Sequence, residues 1–499
     1  MSVVAWGASL QGIEAVPIEV EVDLLRRLPA VVIVGLAAHA VQESAERVRS
    51  AIVASGLEFP RMRVVINLAP ADVRKDGTAL DLPMALGILA AAGTVDPEAL
   101  ARVLSVGELS LAGALRPIRG ALSYARLAAK QGRTLILPRS CAGQAALVTE
   151  ADVRGADTLA EVLGHLAAER PLTRVHATEA GPEPAGDVDL AEVRGQPVAR
   201  RAIEIAAAGA HHVLFVGPPG CGKSMLARRL STVLPALAPN EAIEATCVHA
   251  AAGLLGDDPR PLARRPFRAP HASVTSAAMV GDRRLRPGEA SLAHHGVLFL
   301  DEACEFQRPV IEVLRTPLEE GVVRLSRAEG SVELPARFLL VLATNPCPCG
   351  RRGSAAPCTC SDHEVGRYRR RLSGPILDRV DLHVELESLP PHELLTAAPG
   401  EASVVVRARV ADARARQQAR GQPAPNAALS GAALAMVLSA SPGARSLLLE
   451  GAQRMGLSAR GIDRTWRVAR TIADLAGVDG VHDGHVAEAL TWRPAVGEA

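Results

Sequence analysis

Apolar residues along this chain recur with two different periods, which predicts a protein of mixed strands and helices. Near the N terminus, Ile18–Val22 alternates apolar and polar residues, and Val31–Val34 and Val64–Leu68 are short apolar runs. These patterns predict three strands, the last two of them buried. Between them, Val41–Ile52 repeats its apolar residues with the period of a helix. We therefore predict an α/β domain over residues 1–168.

The rest of the chain predicts a linker and two further domains. Residues 169–187 carry three prolines and no apolar period, which is typical of a linker. Strands and helices then alternate over 188–389 as they do around a parallel sheet. Residues 390–499 are rich in Ala, Leu and Arg with a helical period, which is clearest at Arg407–Arg420 and Ser458–Ala476. This last part predicts a helical lid.

Composition excludes several classes of protein. The chain has 55 Lys plus Arg against 54 Asp plus Glu, so its net charge of +1 excludes a wholly basic, histone-like binder but not local basic patches. With six Phe, three Trp and two Tyr, base stacking on aromatic platforms is not expected. No apolar run approaches the roughly 20 residues that cross a bilayer, and the N terminus has no secretory signal. We therefore expect a cytoplasmic protein without membrane contact.

The clearest chemical motif follows a predicted strand at His212–Val216. The next eight residues match the phosphate-loop pattern G-x-x-x-x-G-K-[ST], and an amphipathic helix comes after them. These residues are Gly217, Pro218, Pro219, Gly220, Cys221, Gly222, Lys223 and Ser224. Such a loop turns backbone N–H groups toward phosphates, while Lys223 is expected to reach the β- and γ-phosphates and Ser224 to bind Mg²⁺.

Two later strands end in polar side chains that suit the same site. The strand that begins at Gly296 ends in Asp301 and Glu302. We expect Asp301 to hold Mg²⁺ through water and Glu302 to polarise the attacking water. A third strand, which begins at Phe338, ends in Asn345, whose amide could orient that water.

Phosphoryl transfer also needs a positive charge that faces the transferred group. Arg379 follows a short predicted helix, and Arg460 begins a lid helix. Because nearly all cationic residues of this chain are arginines, neither position is informative by itself.

Five stretches together resemble the magnesium-chelatase-like AAA+ ATPases of the YifB/ComM type. They read GPPGCGKS, GVLFLDEACEF, LATNPCPCG, SGPILDRVDLHVEL and LSARGIDRTWRVARTIADL. The resemblance extends to the N terminus and so covers nearly the whole chain. It implies an ATPase core in which Asn345 is sensor 1, Arg379 is an arginine finger offered to the neighbouring subunit, and Arg460 is sensor 2. It also implies a homo-oligomeric ring, expected to be a hexamer, with helicase or branch-migration activity on DNA in recombination or transformation.

Residues 1–168 resemble the proteolytic domain of Lon, which has the ribosomal S5 domain 2-like fold, but lack its chemistry. In the stretch Lys75–Asp81, Ala79 stands where Lon has its nucleophilic serine, and Leu122 stands where Lon has its lysine. A serine–lysine dyad cannot work without either group. We therefore predict a structural or binding domain without protease activity.

Two segments of the core resemble the insertions of this branch of AAA+ proteins. Arg260–Gly288 holds seven arginines against one acid, Asp282, which suits contact with a phosphate backbone but equally suits a solvated loop. Leu318–Pro335 has two β-rich halves around a turn at Ala328–Gly330, which predicts a hairpin of the kind that such motors point into a central pore.

Four of the eight cysteines form a cluster, Cys347, Cys349, Cys358 and Cys360. Four thiolates can close a tetrahedral structural zinc site, although the C-x-C spacing is tighter than the common C-x-x-C. The alternative is four reduced thiols without metal. A catalytic zinc is not expected, because His363 is the only nearby imidazole.

Two other functions remain open at the level of sequence. One is the motor subunit of a metal chelatase that inserts Mg²⁺ into a porphyrin, although a D-x-S-x-S metal motif is absent. The other is a chaperone or assembly scaffold that binds a client protein through residues 1–168. Stimulation of ATP hydrolysis by DNA separates the DNA motor from both.

Overall fold

The computed structural model of the protein describes most of the chain. The described residues are 2–35, 41, 43–71, 75, 78–177, 188–255, 260–282, 285–327, 330–353, 357–372, 374–390, 392 and 396–493. Several predictions fall outside them: residues 178–187 of the linker, the hairpin turn at 328–329, Arg283 and Arg284, residues 76 and 77 of the Lon-like stretch, and Ser373.

A seven-stranded mixed sheet forms the first part of the chain, in the order β3-β4-β2-β1-β5-β8-β9. Its strands are β1 Val3–Gln11, β2 Glu14–Leu25, β3 Ala30–Val34, β4 Arg63–Ala69, β5 Val103–Ser105, β8 Thr134–Pro138 and β9 Val153–Ala156. A separate antiparallel pair consists of β6 Glu108–Leu109 and β7 Leu115–Arg116. Alternate side chains enter two apolar clusters, one on each side of the sheet, because successive residues of a strand face opposite ways.

Within the described residues, six named helices cover this sheet. They are α1 Ser44–Ala54, α2 Asp81–Ala91, α3 Pro97–Ala101, α4 Ala121–Gln131, α5 Arg139–Ala145 and α6 Leu159–Leu166. The predicted helical face is confirmed, since Val48 and Ile52 are buried. The predicted burial of Val31–Val34 is wrong: it is a strand, but β3 is at the edge of the sheet, and Val34 is 44% exposed. An apolar run does not by itself distinguish an edge strand from a central one.

The N-terminal part of the predicted linker packs on the first sheet. Leu172 is buried, and the backbone N–H of Val175 donates a hydrogen bond to the carbonyl oxygen of Val153 in β9. Residues 170–175 are therefore held against the sheet.

A second sheet of five parallel strands has the order β11-β12-β15-β10-β16. Its strands are β10 Val213–Val216, β11 Phe267–Arg268, β12 Val297–Leu300, β15 Leu339–Thr344 and β16 Leu382–Glu385. The helices around it are α7 Pro197–Gly209, α8 Lys223–Val233, α9 Pro239–Ala252, α10 Ser276–Val280, α11 Glu289–Leu292, α12 Arg308–Glu312, α13 Arg315–Glu320, α14 Asp362–Arg369 and α15 Gly374–Leu377. The parallel α/β prediction is confirmed.

The predicted hairpin consists of β13 Val322–Arg327 and β14 Gly330–Pro335, paired antiparallel. One side of it is apolar and buried, and the other carries exposed Arg324 and Glu333. The turn between β1 and β2 lies against the buried side. At Gly12 in that turn, a Cβ atom would collide with Val332 and Leu334. The first sheet therefore contacts the hairpin directly.

The C-terminal part is helical, as predicted. Its helices are α16 Ser403–Ala419, α17 Gly431–Val437, α18 Pro442–Arg454, α19 Ala459–Leu475 and α20 Asp483–Thr491. Their apolar residues share one core with β10 and α7, so the helices pack against the second sheet. No helix within the described ranges has both the length and the apolar character needed to cross a bilayer.

Candidate nucleotide-binding site

The predicted phosphate loop joins β10 to α8 at the carboxyl edge of the second sheet. Gly222, at the start of α8, has a φ of 96°, a left-handed conformation that glycine adopts without strain. Gly217 is crowded, because a Cβ there would lie 2.7 Å from Cys221 Sγ and 2.7 Å from the carbonyl oxygen of Leu386. Glycine is therefore required at these two positions for physical reasons.

Four predicted residues from three strand ends meet at this loop. Lys223 Nζ donates to the carbonyl oxygens of Gly217 and Pro218 at 2.6 and 2.9 Å, and to Asn345 Oδ1 at 3.1 Å. Ser224 Oγ donates to Asp301 Oδ2 at 2.6 Å. An ammonium, a hydroxyl and a carboxylate thus converge at the N terminus of α8, where the helix dipole favours anions. These groups fit a triphosphate and its Mg²⁺.

Burial lowers the pKa of Lys223, although the neighbouring Cys221, Asp301 and Glu302 oppose this shift. Its ammonium is bonded to loop carbonyls, and phosphate oxygens would be stronger partners because they carry charge. Glu302 is next to Asp301, with a left-handed φ of 51°, and its side chain is exposed. This strained backbone directs the carboxylate away from the strand into solvent beside the loop.

The two predicted arginines lie elsewhere, near each other. Arg379 is buried; its Nη1 donates to the carbonyl oxygen of Pro375, and its Nη2 pairs with Glu319. Burial lowers the pKa of Arg379, and the charges of Arg315 and Arg460 lower it further. Arg460 is exposed in the first turn of α19. Sequence reasoning missed Glu319, because nothing in the sequence links it to Arg379.

The four clustered cysteines come together in space. Their sulfur atoms all lie within 4.8 Å of one another, and three of the separations are 3.4, 3.6 and 3.6 Å. Zn–S bonds of about 2.3 Å in a tetrahedron place sulfurs about 3.8 Å apart, so the cluster matches the required size. The separation of 3.4 Å joins Cys347 and Cys349, so the tight C-x-C spacing does not prevent joint approach.

Backbone amides surround these sulfurs. The N–H of Arg352 donates to Cys347 Sγ at 3.4 Å. Hydrogen bonds from the backbone of Arg351 and Thr359 lower the pKa of Cys349, whereas the side chains of Cys349 and Cys347 raise the pKa of Cys358 and Cys360. Amide–sulfur bonds stabilise thiolates, the form that binds metal.

The cysteine loop also touches the phosphate loop. Gly350 has a φ of 75°, and a Cβ there would lie 2.8 Å from Pro219 Cδ and 3.8 Å from Asn345 Cγ. The loop that the cysteines hold is therefore in contact with the nucleotide site.

Sequence reasoning missed a second cluster of possible metal ligands, Glu244, His294 and His295. The carboxylate of Glu244 lies 3.3 Å from His294 Nε2 and 2.8 Å from His295 Nε2. His294 Nδ1 accepts a hydrogen bond from the backbone N–H of Arg337, so its proton is on Nε2, facing Glu244. His294 therefore acts as a donor to a carboxylate, and hydrogen bonds account for this cluster without a metal. These bonds lower the pKa of Glu244 to about 2.

Some arginines of the basic segment are engaged inside the protein. Arg265 pairs with Glu241, and Arg268 makes a two-pronged ion pair with Glu289 at 2.7 and 2.8 Å. The interpretation of Arg260–Gly288 as a set of phosphate contacts therefore does not extend to these two.

The two positions that correspond to the serine and lysine of Lon carry apolar side chains, and their surroundings in the structure are apolar too. Leu122 is fully buried, and Ala79 packs against the same cluster. Lys75 is also fully buried, with its ammonium bonded to the carbonyl oxygen of Pro70.

Comparison with known proteins matches almost the whole chain. Residues 189–394 match the family described as magnesium chelatase, subunit ChlI; residues 20–141 match subunit ChlI of Mg-chelatase; and residues 400–493 match the ChlI C-terminal family. YifB of Escherichia coli K12 is 42% identical over 99% of this chain and 97% of its own length. The competence protein ComM of Haemophilus influenzae is 40% identical over 99% and 97%. The chain belongs to the magnesium-chelatase-like AAA+ family of YifB and ComM.

Family membership confirms the resemblance and implies an AAA+ motor with ATPase activity that uses ATP and Mg²⁺. Members of the family are oligomeric. A more distant relative, the magnesium-chelatase 38 kDa subunit of Cereibacter sphaeroides, is 26% identical over 39% of this chain and 57% of its own length.

Proposed function

We propose that this protein is a ring-forming ATPase, expected to be a hexamer, that moves on DNA. The observation that supports a ring is the ion pair of Arg379, which joins it to Glu319 and not to the phosphate loop of its own chain. Hydrolysis needs a cation near the γ-phosphate beyond Lys223. A neighbouring subunit that brings its Arg379 to the site would supply that cation.

Within one site, each residue has a distinct role in the proposal. Lys223 and the loop amides bind the phosphates, and Ser224 and Asp301 hold Mg²⁺, which neutralises phosphate charge when bound. Glu302 accepts a proton from the attacking water, and Asn345 orients that water. Because the charge of Arg460 acts on Arg379, we expect both arginines to meet the same triphosphate.

The proposal of DNA as the substrate has three supports. A relative of nearly equal length carries the name competence protein. Arg286, with Arg283 and Arg284, adds positive charge to the segment before β12. The hairpin of β13 and β14 presents polar side chains on its exposed side, as a strand pair that touches a polymer would.

The test is ATP hydrolysis with and without DNA. We expect DNA to raise the rate, and the triple variant Arg283→Ala, Arg284→Ala, Arg286→Ala to bind DNA more weakly. Each lost phosphate contact removes about 0.7 to 0.9 from the slope of log affinity against log salt. The DNA-free ATPase rate of this variant is expected to stay near that of the unchanged protein.

A control with the same loss of charge replaces Arg26, Arg61 and Arg102, which are exposed in the connections between the strands and helices of the first sheet. This control is expected to keep the salt slope. If the salt slope of DNA binding is unchanged in the first triple variant, its three arginines do not contact DNA. Absence of any DNA effect on hydrolysis contradicts the DNA motor and favours the chelatase or chaperone alternatives.

We also propose that Cys347, Cys349, Cys358 and Cys360 hold one structural zinc ion. The tetrahedral spacing of the sulfurs and the amides around them support this. Elemental analysis of protein purified without chelators is expected to find about one zinc per chain. A metal-free protein of unchanged stability contradicts this proposal.

For the domains, we propose the division 1–168, 188–389 and 390–499, with a linker between the first two. The three family matches fall within or close to these limits. The first domain is proposed to be a binding or structural unit without protease activity, because Ala79 and Leu122 cannot act as nucleophile and base.

A further inference from the structure

Two adjacent glutamates at the end of α13 bond to different parts of the molecule. Glu320 pairs with Arg324 on β13 of the hairpin, and Glu319 pairs with Arg379. Gly321 alone separates α13 from β13. The hairpin and the predicted arginine finger therefore meet at this one short helix.

Arg379 is withdrawn in this arrangement. Its side chain is 8% exposed, whereas that of Glu319 is 51% exposed. Its Nε is buried and has no hydrogen-bond partner among the described residues. Arg315 and Arg460 add positive charge nearby. To reach a phosphate on another subunit, the guanidinium has to leave Glu319, and a phosphate can replace the carboxylate because both accept paired N–H bonds.

The hairpin and the arginine segment also share one hydrophobic core. Val323 and Leu334 of the hairpin belong to the same cluster as Ile376 and Val380, which flank Arg379. Close-packed side chains transmit a displacement to their neighbours, because no free volume absorbs it. Movement of the hairpin is therefore expected to change the geometry between α13 and Arg379.

We propose that Glu319 is a positioning residue that holds Arg379 away from the neighbouring nucleotide until the hairpin moves. Hydrolysis then depends on what the hairpin binds, which rests on the proposed ring motor. Without a ligand on the hairpin, Glu319 retains the guanidinium. When the hairpin is displaced, Arg379 exchanges the carboxylate for the γ-phosphate of the adjacent subunit.

The test is the variant Glu319→Gln, which keeps the shape of the side chain and removes its charge. Its DNA-free ATPase rate is expected to rise about fivefold, the factor that corresponds to a partly exposed ion pair of about 1 kcal/mol. The KM for ATP is expected to stay constant, because Glu319 does not touch the phosphate loop. The ratio of DNA-stimulated to DNA-free rate is expected to fall by the same factor.

The matched control is Glu320→Gln, which removes the neighbouring charge and breaks only the pair with Arg324. It is expected to keep the DNA-free rate within about twofold, and so is Glu319→Asp, since the charge remains. Rates are compared on protein that elutes as the assembled ring and has an unchanged melting temperature. A merely structural role of Glu319 would lower the rate or the melting temperature.

A Glu319→Gln ring that is no faster than the unchanged protein without DNA overturns the proposal. An equal rise in Glu320→Gln, or failure of Glu319→Gln to assemble, overturns it as well. The DNA-free rate tests Glu319 independently of the substrate: if DNA does not stimulate the unchanged protein, the DNA proposal fails while the DNA-free comparison still decides the role of Glu319.

Discussion

Within one chain, the polar groups on the phosphate side of the candidate ATP site and those on its arginine side have different kinds of hydrogen-bond partners. On the phosphate side, Lys223 bonds to Asn345, and Ser224 bonds to Asp301, so the groups that bind nucleotide hold one another. On the arginine side, Arg379 is bonded to Glu319 and retains a buried N–H without a partner among the described residues. The first side is complete in a single subunit. The second pairs its arginine with Glu319, a carboxylate that a phosphate of another subunit would replace in the proposed ring.

The largest expected effect comes from the phosphate side. Lys223→Ala is expected to abolish both ATP binding and turnover, because the lysine supplies the ammonium that faces the phosphates. The melting temperature without nucleotide is expected to change little, since the ammonium bonds to the loop itself, at two carbonyl oxygens and Cys221 Sγ, and to Asn345. Binding of a fluorescent ATP analogue and phosphate release are the measurements. Hydrolysis near the normal rate would refute the assignment of the loop.

Arg379→Ala separates the two sides. It is expected to keep ATP binding and to lose hydrolysis by about 10³–10⁵, the usual contribution of an arginine finger. Mixing this chain with Glu302→Gln chains creates interfaces with an intact Glu302 and an intact Arg379. Such mixtures are expected to recover part of the activity. If mixed rings form and remain inactive, the arginine does not act between subunits.

The variant Arg460→Ala tests whether Arg460 acts on the phosphate side or on the arginine side of the site. Removal of one charge-assisted bond of about 1.5–3 kcal/mol is expected to slow hydrolysis by about 10- to 150-fold. Because the charge of Arg460 acts on Arg379, mixing with Glu302→Gln chains is expected to rescue this variant too. If mixing rescues Arg379→Ala but not Arg460→Ala, then Arg460 acts on the phosphate side of the site in its own subunit.

The smallest effect concerns the cysteine loop, which contacts Pro219 on the phosphate side. Cys349→Ser is expected to lose the zinc and to weaken ATP binding about threefold to tenfold, a cost of about 0.7–1.4 kcal/mol. This chain is expected to donate its Arg379 normally in mixed rings. Cys141→Ser, which removes a buried thiol of the first domain, is the control and should retain zinc. In the unchanged protein, zinc is expected to dissociate as the pH falls, because the thiolates take up protons.

The sequence was sufficient to predict those features that depend on local order. The strand, loop and helix around Lys223 follow one another directly, so their contact needs no knowledge of distant residues. The meeting of Asp301 and Asn345 follows because parallel strands bring their carboxyl ends to one edge.

Features that depend on packing between distant segments were not predictable. The pairs Glu319–Arg379 and Glu244–His294 join segments whose approach only the folded core determines. The edge position of β3 was not predictable either, because an apolar run looks the same in the sequence of an edge strand and of a central strand. The cysteine spacing suggested zinc, but not that the loop would rest on Pro219.

The close approach of Gly12 to the hairpin limits which amino acids relatives of this protein can carry in the two regions. Because a side chain at position 12 would collide with Val332 and Leu334, the two regions are expected to change together among relatives. A larger residue at position 12 should appear only with smaller residues at 332 or 334 and with a changed turn, because Gly12 has a φ of +62°. A shortened chain lacking residues 1–187 is therefore expected to expose Val332 and Leu334 to water more than the full chain does. The turn between β1 and β2 thus shields part of the apolar side of the hairpin from water.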